Sequence, residues 1–347
     1  MKALQLIAHG RPGKFELRDV PEPAPGPHQA VVTVRACGLN HLDLWLEEAG
    51  LPVGVDLPRT PGGEVAGEIS ALGPHVSHWR VGDRVAVQSN LFCGECEFCE
   101  RGQESLCLQG TLLGVQVDGG FAEKVLVPAS SLVALPETVG FQTSAALTLA
   151  GSTATHMLLD RARARQGDWV LVIGGASGVG SAAIQIARHL GAYVIATGSD
   201  DRKRALAKNL GAHHVVDSTA RDWPAQVRQL TEKRGVNLVI EHVGGEVLLQ
   251  CFSCLARGGT IVTCGATAGR EVSLNLWPLF VKQQKLVGSY GRNRADIVRT
   301  LEWAAEGKIK PVIDEVLPLD RTAEGFARLR ARKVLGKIVM ASDLSNR

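Results

Sequence analysis

The chain has 347 residues, eight cysteines and a formal net charge of +3. That length suits two domains, and so small a positive balance argues against a nucleic-acid surface. No apolar run approaches the span of a bilayer, and the opening MKALQLIAHGRPG lacks the apolar core of a secretion signal. A cytoplasmic protein with reduced cysteines, and with no membrane or nucleic-acid partner, is therefore expected.

Residues 3–7, 15–19 and 30–36 (AVVTVRA) read as short strands, the last with clear alternation. Between the second and third, VPEPAPGP makes a stiff turn. A brief helical stretch at 42–48 precedes strands at 63–72 and 84–88, so the first third is mostly β. Cys93, Cys96, Cys99 and Cys107 follow, in a polar segment that could not bury them cheaply. Four thiolates at this spacing make a tetrahedral zinc site with every position filled by protein, and hence a structural one. Unrelated thiols or an iron–sulfur cluster are the alternatives.

The chain is organised around the stretch that starts at Trp169. An apolar run at 170–173 reads as a buried parallel strand, and Ala182, Ala183, Ile186, Ala187 and Leu190 recur at helical spacing before Gly191. Between them lies Gly175-Ala176-Ser177-Gly178-Val179-Gly180, a variant of G-x-G-x-x-G with Ser177 at the middle position. Such a turn brings the backbone close to a pyrophosphate at a helix N-terminus.

Strand and helix then alternate through 193–197, 201–210, 214–217, 236–242 and 260–264, the pattern of a doubly wound sheet. His213 and His214 begin a strand, and Cys251 and Cys254 share one helix face. Beyond residue 267 the pattern changes, with helices at 302–306 and 323–330 and a last strand at 336–341. Such a tail returns to complete the first domain.

An acidic residue would end the second strand of an NAD-binding unit, and here Gly198 stands there. Ser199, Arg202 and Lys203 are placed to take a 2′-phosphate, so NADPH is expected over NADH. Asp200 and Asp201 offer the opposing reading, as helix caps that leave the cations in solvent.

Together these motifs resemble the medium-chain dehydrogenase/reductase superfamily over nearly the whole length. The resemblance implies an α/β protein: a GroES-like β domain plus a doubly wound parallel-sheet Rossmann domain. The expected domains are 1–128 with 272–347, carrying a structural zinc lobe at 90–110, and 129–271 for the dinucleotide.

The zinc alcohol dehydrogenases of that superfamily hold a catalytic zinc with a cysteine in G-x-C-H-T-D, the histidine of G-H-E and a later cysteine. This chain has Asn40, Gly63 and Leu149 at those places, and Glu64 survives. Asn40 and Asp43 resemble instead the N-P-x-D signature of zinc-free quinone oxidoreductases.

The resemblance therefore implies an NADPH-dependent reductase of quinones or α,β-unsaturated carbonyls, with one structural zinc and no catalytic one. Asn40, His41, Asp43 and Thr153 are the candidate catalytic residues. Asn40 is read as an amide donor to the reduced oxygen, and the others as groups that orient it or relay a proton. Ser289 or Arg292, near the family's late glycine-serine turn, is a candidate cofactor contact.

Three alternatives stay open: a metal relocated to Cys37, His41 and Glu64, a zinc alcohol dehydrogenase with that displaced site, and a non-enzymatic nucleotide-binding protein of the zeta-crystallin kind. A homodimer or homotetramer acting on a small-molecule substrate is expected.

Overall fold

The computed structural model describes residues 1–341. The described residues form two units: Met1–Ser152 with Arg292–Gly307 and 311–341, and Thr153–Gly291 with Lys308–Lys310. Residues 342–347, part of the expected first domain, lie outside the described residues. Among the described residues no helix is long and apolar enough to cross a membrane.

The first unit is built on a seven-stranded sheet. Its order is Ile313–Leu317, Lys337–Ala341, Gln29–Gly38, Glu64–Leu72, Arg84–Val87 and Leu132–Ala134, with Lys124–Pro128 also paired to Gln29–Gly38. Along the central strand Ala30, Val32 and Val34 point into a core with Val85, Phe121, Val125 and Leu132, the alternate residues of one sheet face.

Register shifts between Val34 and Ala36, as a bulge does when it re-aims a strand. Ala36 then turns to the opposite face and packs with Ala66, Val339 and the helical Ala145 and Ala146. The strand ends at Gly38, which pairs with Glu64 on one side and Val339 on the other. A Cβ at Gly38 would lie 2.1 Å from the Ala145 carbonyl and 2.6 Å from Glu64 Oε2, so this crossing admits only glycine.

The second unit is a six-stranded parallel sheet in the order His214–Asp217, Tyr193–Gly198, Trp169–Val172, Val236–Glu241, Leu255–Thr263, Lys285–Gly288. Val170, Leu171 and Val172 are fully buried because helices cover both faces. Trp223, Val227, Leu248, Cys251 and Phe252 fill the core on one side. Cys251 and Cys254 share the helix Gly245–Cys254 and are both buried, as packing residues should be.

The unit boundaries differ from those expected. Helix Phe141–Leu147 packs on the first unit's sheet through Ala145 and Ala146, which carries that unit to Ser152 rather than 128. The short strand Lys285–Gly288 extends the parallel sheet, so the second unit runs to Gly291 rather than 271. Four residues with no alternation of burial carry too little pattern to be read as a strand.

Candidate active site and metal lobe

Three chain segments meet around Glu64, which is fully buried. Its Oε1 accepts from the backbone N–H of Leu149 at 2.6 Å and of Ala150 at 3.1 Å. Its Oε2 accepts from Asn40 Nδ2 at 2.9 Å and pairs with Lys337 Nζ at 2.7 Å. The three positions at which the family holds its metal thus do converge: Asn40 and Leu149 bond Glu64 directly, and Gly63 adjoins it.

Their chemistry does not suit zinc, which takes thiolate, imidazole or carboxylate donors. Asn40 Oδ1 is taken by Lys337 Nζ at 2.6 Å. Gly63 has no side chain, and a Cβ there would meet the Leu113 carbonyl at 2.9 Å. Leu149 contributes an alkyl group and the N–H already given to Glu64. A relocated site fares no better: Cys37, His41 and Glu64 are not among the metal-competent groups of the described residues. Cys37 is buried in the sheet, with burial pushing its thiol well above the usual range, while His41 starts its helix exposed.

Asn40 also departs from its expected role. Its Nδ2 donates to Glu64 and to the Gly38 carbonyl at 3.2 Å, so both amide hydrogens are committed. It caps the helix His41–Glu47, and Asp43 completes the capping box by accepting from Asn40 N at 2.8 Å. Asp43 Oδ1 accepts from Gly62 N at 3.2 Å. Burial raises the Asp43 carboxyl to about 7 against these two bonds and the Lys337 charge. Thr153 is buried within the helix Ala150–His156. The first unit brings Asn40 and Asp43 together, while Thr153 belongs to the second.

Lys337 escaped the sequence reading. Its ammonium, 5% exposed, donates to the Leu39 carbonyl at 2.7 Å as well as to Asn40 and Glu64. A lone lysine opening an otherwise apolar terminal strand, KIVMA, was the signal.

In the second unit the glycine turn has the form a dinucleotide requires. Ser177 caps the helix Gly178–His189, its Oγ accepting from Gly180 N at 2.9 Å, and it also lies 3.1 Å from His242 Nε2. Gly174 is left-handed at φ +62, and a Cβ on Gly180 would stand 2.2 Å from the Gly174 carbonyl. Gly175 lies close to Ala196 and Ile184, where a Cβ would meet both side chains at 3.0 Å. Gly178 and Val179 begin the helix, so their N–H groups are among those no helical carbonyl reaches. These residues fit a pyrophosphate.

At the second strand's end, a Cβ on Gly198 would lie 3.0 Å from Arg204 N, which leaves no room for an acidic side chain without a shift. Lys203 Nζ donates to Ser199 Oγ at 2.9 Å and pairs with Asp200 at 3.1 Å. Arg204, not singled out from sequence, bonds the Gly198 carbonyl at 3.2 Å and pairs with Asp201 and Asp217. Arg202 is exposed. Asp200 caps the next helix, as the opposing reading had it. Ser289 is buried, with its Oγ unpartnered among the described residues. Arg292 is in the first unit, where its guanidinium donates to Ser89 Oγ.

The four lobe cysteines bring their sulfurs within 4.8 Å of one another. Sulfur pairs lie 3.5 Å apart for Cys96–Cys99 and Cys93–Cys107, and 3.9 Å apart for Cys93–Cys99. A zinc with bonds of about 2.3 Å sets its sulfurs about 3.8 Å apart, so the residues fit the ion. As free thiols they split: backbone N–H groups of Leu108 and Cys99 lower Cys96 to about 6, while burial foremost pushes Cys99 up to about 12. A divalent cation resolves that crowding by accepting all four as thiolates.

Residues 178–306 match the zinc-binding dehydrogenase family and residues 26–137 the alcohol dehydrogenase GroES-like domain. An alcohol dehydrogenase of Geobacillus stearothermophilus is 32% identical over 345 residues, covering 99% of this chain and 100% of its own. A solved NAD-dependent alcohol dehydrogenase superposes with a TM-score of 0.95 at 38% identity, covering 99% of this chain and 100% of that one. A 2-octenoyl-CoA carboxylase reductase, solved with NADP and 2-octenoyl-CoA, superposes at 0.88 with 26% identity, covering 98% and 87%. The chain belongs to the zinc-binding alcohol dehydrogenase family of medium-chain dehydrogenases/reductases, and is an oxidoreductase dependent on a nicotinamide cofactor.

Proposed function

We propose that this oxidoreductase reduces quinones or α,β-unsaturated carbonyl compounds without a metal at its reaction centre. The observation that carries the reading is the Asn40–Glu64–Lys337 network at the family's metal position, where an ammonium holds the oxygen that a ligand would offer. A bound dihydronicotinamide supplies the hydride. An isolated ketone then concentrates negative charge on one oxygen, which a Lewis acid must stabilise. A conjugated acceptor spreads that charge, so hydrogen-bond donors suffice. The likeness to a reductase solved with 2-octenoyl-CoA, an unsaturated thioester, supports the same chemistry.

NADPH is the cofactor proposed, supported by the lack of a carboxylate at Gly198 and by Arg202 and Lys203 beside it. A homodimer or homotetramer belongs to the same reading, supported by exposed Leu276, Trp277, Phe280 and Leu286 on and near the edge strand Lys285–Gly288.

The names of the relatives favour a second reading, a zinc alcohol dehydrogenase. One assay separates the two: NADPH oxidation with a quinone and with an enone, and NADP+ reduction with a primary alcohol, each with and without a chelator. Quinone or enone turnover that survives chelation is expected, with little alcohol oxidation. Chelator-sensitive alcohol oxidation, with no quinone or enone turnover, restores the dehydrogenase. Parallel NADPH and NADH titrations should favour NADPH, and Arg202→Glu should narrow the gap.

A further inference from the structure

We propose that His242 is a positioning residue for dinucleotide binding: its Nε2 decides whether the Ser177 hydroxyl proton faces the imidazole or the pyrophosphate. The role holds for either substrate reading, and for NADH as for NADPH, since both carry the pyrophosphate.

The strands place the pair. Val172 pairs with Ile240 in the parallel sheet, so two further residues along each chain set His242 beside Gly174, where the glycine turn begins. A Cβ on Gly174 would stand 3.1 Å from His242 Cε1 and 3.4 Å from its Nε2, so the ring lies directly against the turn. Ser177 follows at the middle position, where the usual motif has glycine, and its Oγ is 3.1 Å from His242 Nε2. A glycine there would leave the ring nitrogen without this partner.

Counting protons assigns the donors. A hydroxyl has one proton and two lone pairs. Ser177 Oγ accepts from Gly180 N at 2.9 Å, which leaves it the proton and one lone pair. The ring's hydrogen bond with the Ile173 backbone favours the charged form, as a carbonyl accepting from the ring does. With Nε2 turned to Ser177, the nitrogen left for that bond is Nδ1, so Nδ1 carries the hydrogen of the neutral ring and Nε2 accepts. Ser177 then donates its only proton to His242 and has none for a ligand. Protonation reverses the bond. Nε2–H donates to Ser177 Oγ, and the hydroxyl proton turns to an anion at the N–H groups of Gly178 and Val179, with the charge of the imidazolium behind it.

Burial foremost holds the ring below the ordinary histidine value, against the pull of the Glu241 carboxylate and the Ile173 bond. Glu241 is the charged side chain that acts on it, and is itself engaged: Oε1 accepts from Gly244 N and Oε2 from Thr263 Oγ1, each at 2.7 Å. Cys264, whose N–H bonds the Glu241 carbonyl at 3.1 Å, is pushed up to about 12 by burial and stays a neutral thiol. The turn from Gly174 to Gly180 carries no charged side chain. Near neutrality the free protein therefore holds His242 uncharged, with the Ser177 proton turned inward. An anion in the turn favours the charged ring, so binding brings a proton from solvent onto Nε2. The bound state holds more protons than the free one, and affinity falls as pH rises.

The test measures NADH binding to the whole purified protein by dihydronicotinamide fluorescence from about pH 6 to about pH 8, with proton uptake read by calorimetry in buffers of different ionisation enthalpy. NADH is the probe because its pyrophosphate does not titrate in this range, whereas the 2′-phosphate of NADPH does. Wild-type affinity should fall about threefold or more across the range, with a fraction of one proton taken up on binding. His242→Gln gives Ser177 an amide donor that does not titrate, so its affinity should vary by less than about 1.5-fold and its proton uptake should vanish.

Ser177→Ala carries the comparison if His242→Gln does not fold. It removes the hydroxyl link and should flatten the profile, leaving only the effect of the ring's charge. A histidine that merely packs gives His242→Gln the wild-type pH profile at a uniformly lower affinity, and that result overturns the proposal. A wild-type affinity without pH dependence, or a Ser177→Ala profile equal to that of wild type, overturns it too. Each of these failures leaves the substrate and cofactor readings above intact.

Discussion

Burying an ammonium is unfavourable unless its charge and all three protons find partners, and Lys337 has found them in Leu39, Asn40 and Glu64. Lys337→Met would strand the Glu64 carboxylate in the interior. Removing one partner of a buried pair costs about 3–5 kcal/mol, and urea unfolding should show a loss of that order. Lys337→Met with Glu64→Gln should recover much of it, because no charge is then left unanswered.

Asp43 gives a prediction in pH. Its folded-state value of about 7 lies above the ordinary 3.8. Between these limits the folded protein keeps a proton that the unfolded chain releases, so its share of stability is full at low pH, falls as pH rises, and levels off above about 7. Asp43→Asn has no such proton. The difference in unfolding free energy between variant and wild type should therefore shift in the variant's favour from about pH 4.5 to about pH 7.5. A pH-independent difference would mean that Asp43 is ionised in the folded protein across this range.

At the scale of elements, the lobe is a loop of sparse regular structure: a helix of four residues, Glu97–Glu100, left-handed glycines at 94 and 102, and a two-stranded clip, Asn90–Leu91 with Thr111–Leu112, at its mouth. With all four cysteines only half-buried, little apolar packing holds it, and metal ligation is the proposed substitute. Cys99→Ser should abolish metal retention there and lower the melting midpoint by roughly 5 °C or more. A variant that melts as wild type does, without metal, would show that packing alone shapes the lobe.

This element was legible because its ligands lie within fifteen residues, and the parallel strands were legible because burial on both faces makes continuous apolar runs. Lys285–Gly288 was not, since an edge strand of KLVG has neither alternation nor an apolar run. The helix Arg294–Ala305 was read only at its last turn. Its start is set by the reciprocal Asn293–Asp296 cap rather than by periodicity.

Over the whole molecule, the sequence told which metal ligands are missing but not what stands in their place. The substitutions at Asn40, Gly63 and Leu149 are local and can be read off motifs. Their consequences are long-range: Lys337 reaches Asn40 across 297 residues, and Arg292 reaches Ser89 across 203. No pattern within one element can announce such pairings, which the returning tail creates by completing the first unit. The same distinction bears on the metal content. Four thiolates with matched spacing suffice to fill a zinc's coordination shell without water, whereas the Glu64 corner offers one carboxylate already bound to an ammonium and three donors. Elemental analysis of protein purified without added metal and dialysed should therefore give one tightly held zinc per chain. Cys99→Ser should reduce that to none. Two zincs per chain, with one lost on Glu64→Ala, would place a metal at the reaction centre and overturn the metal-free reading.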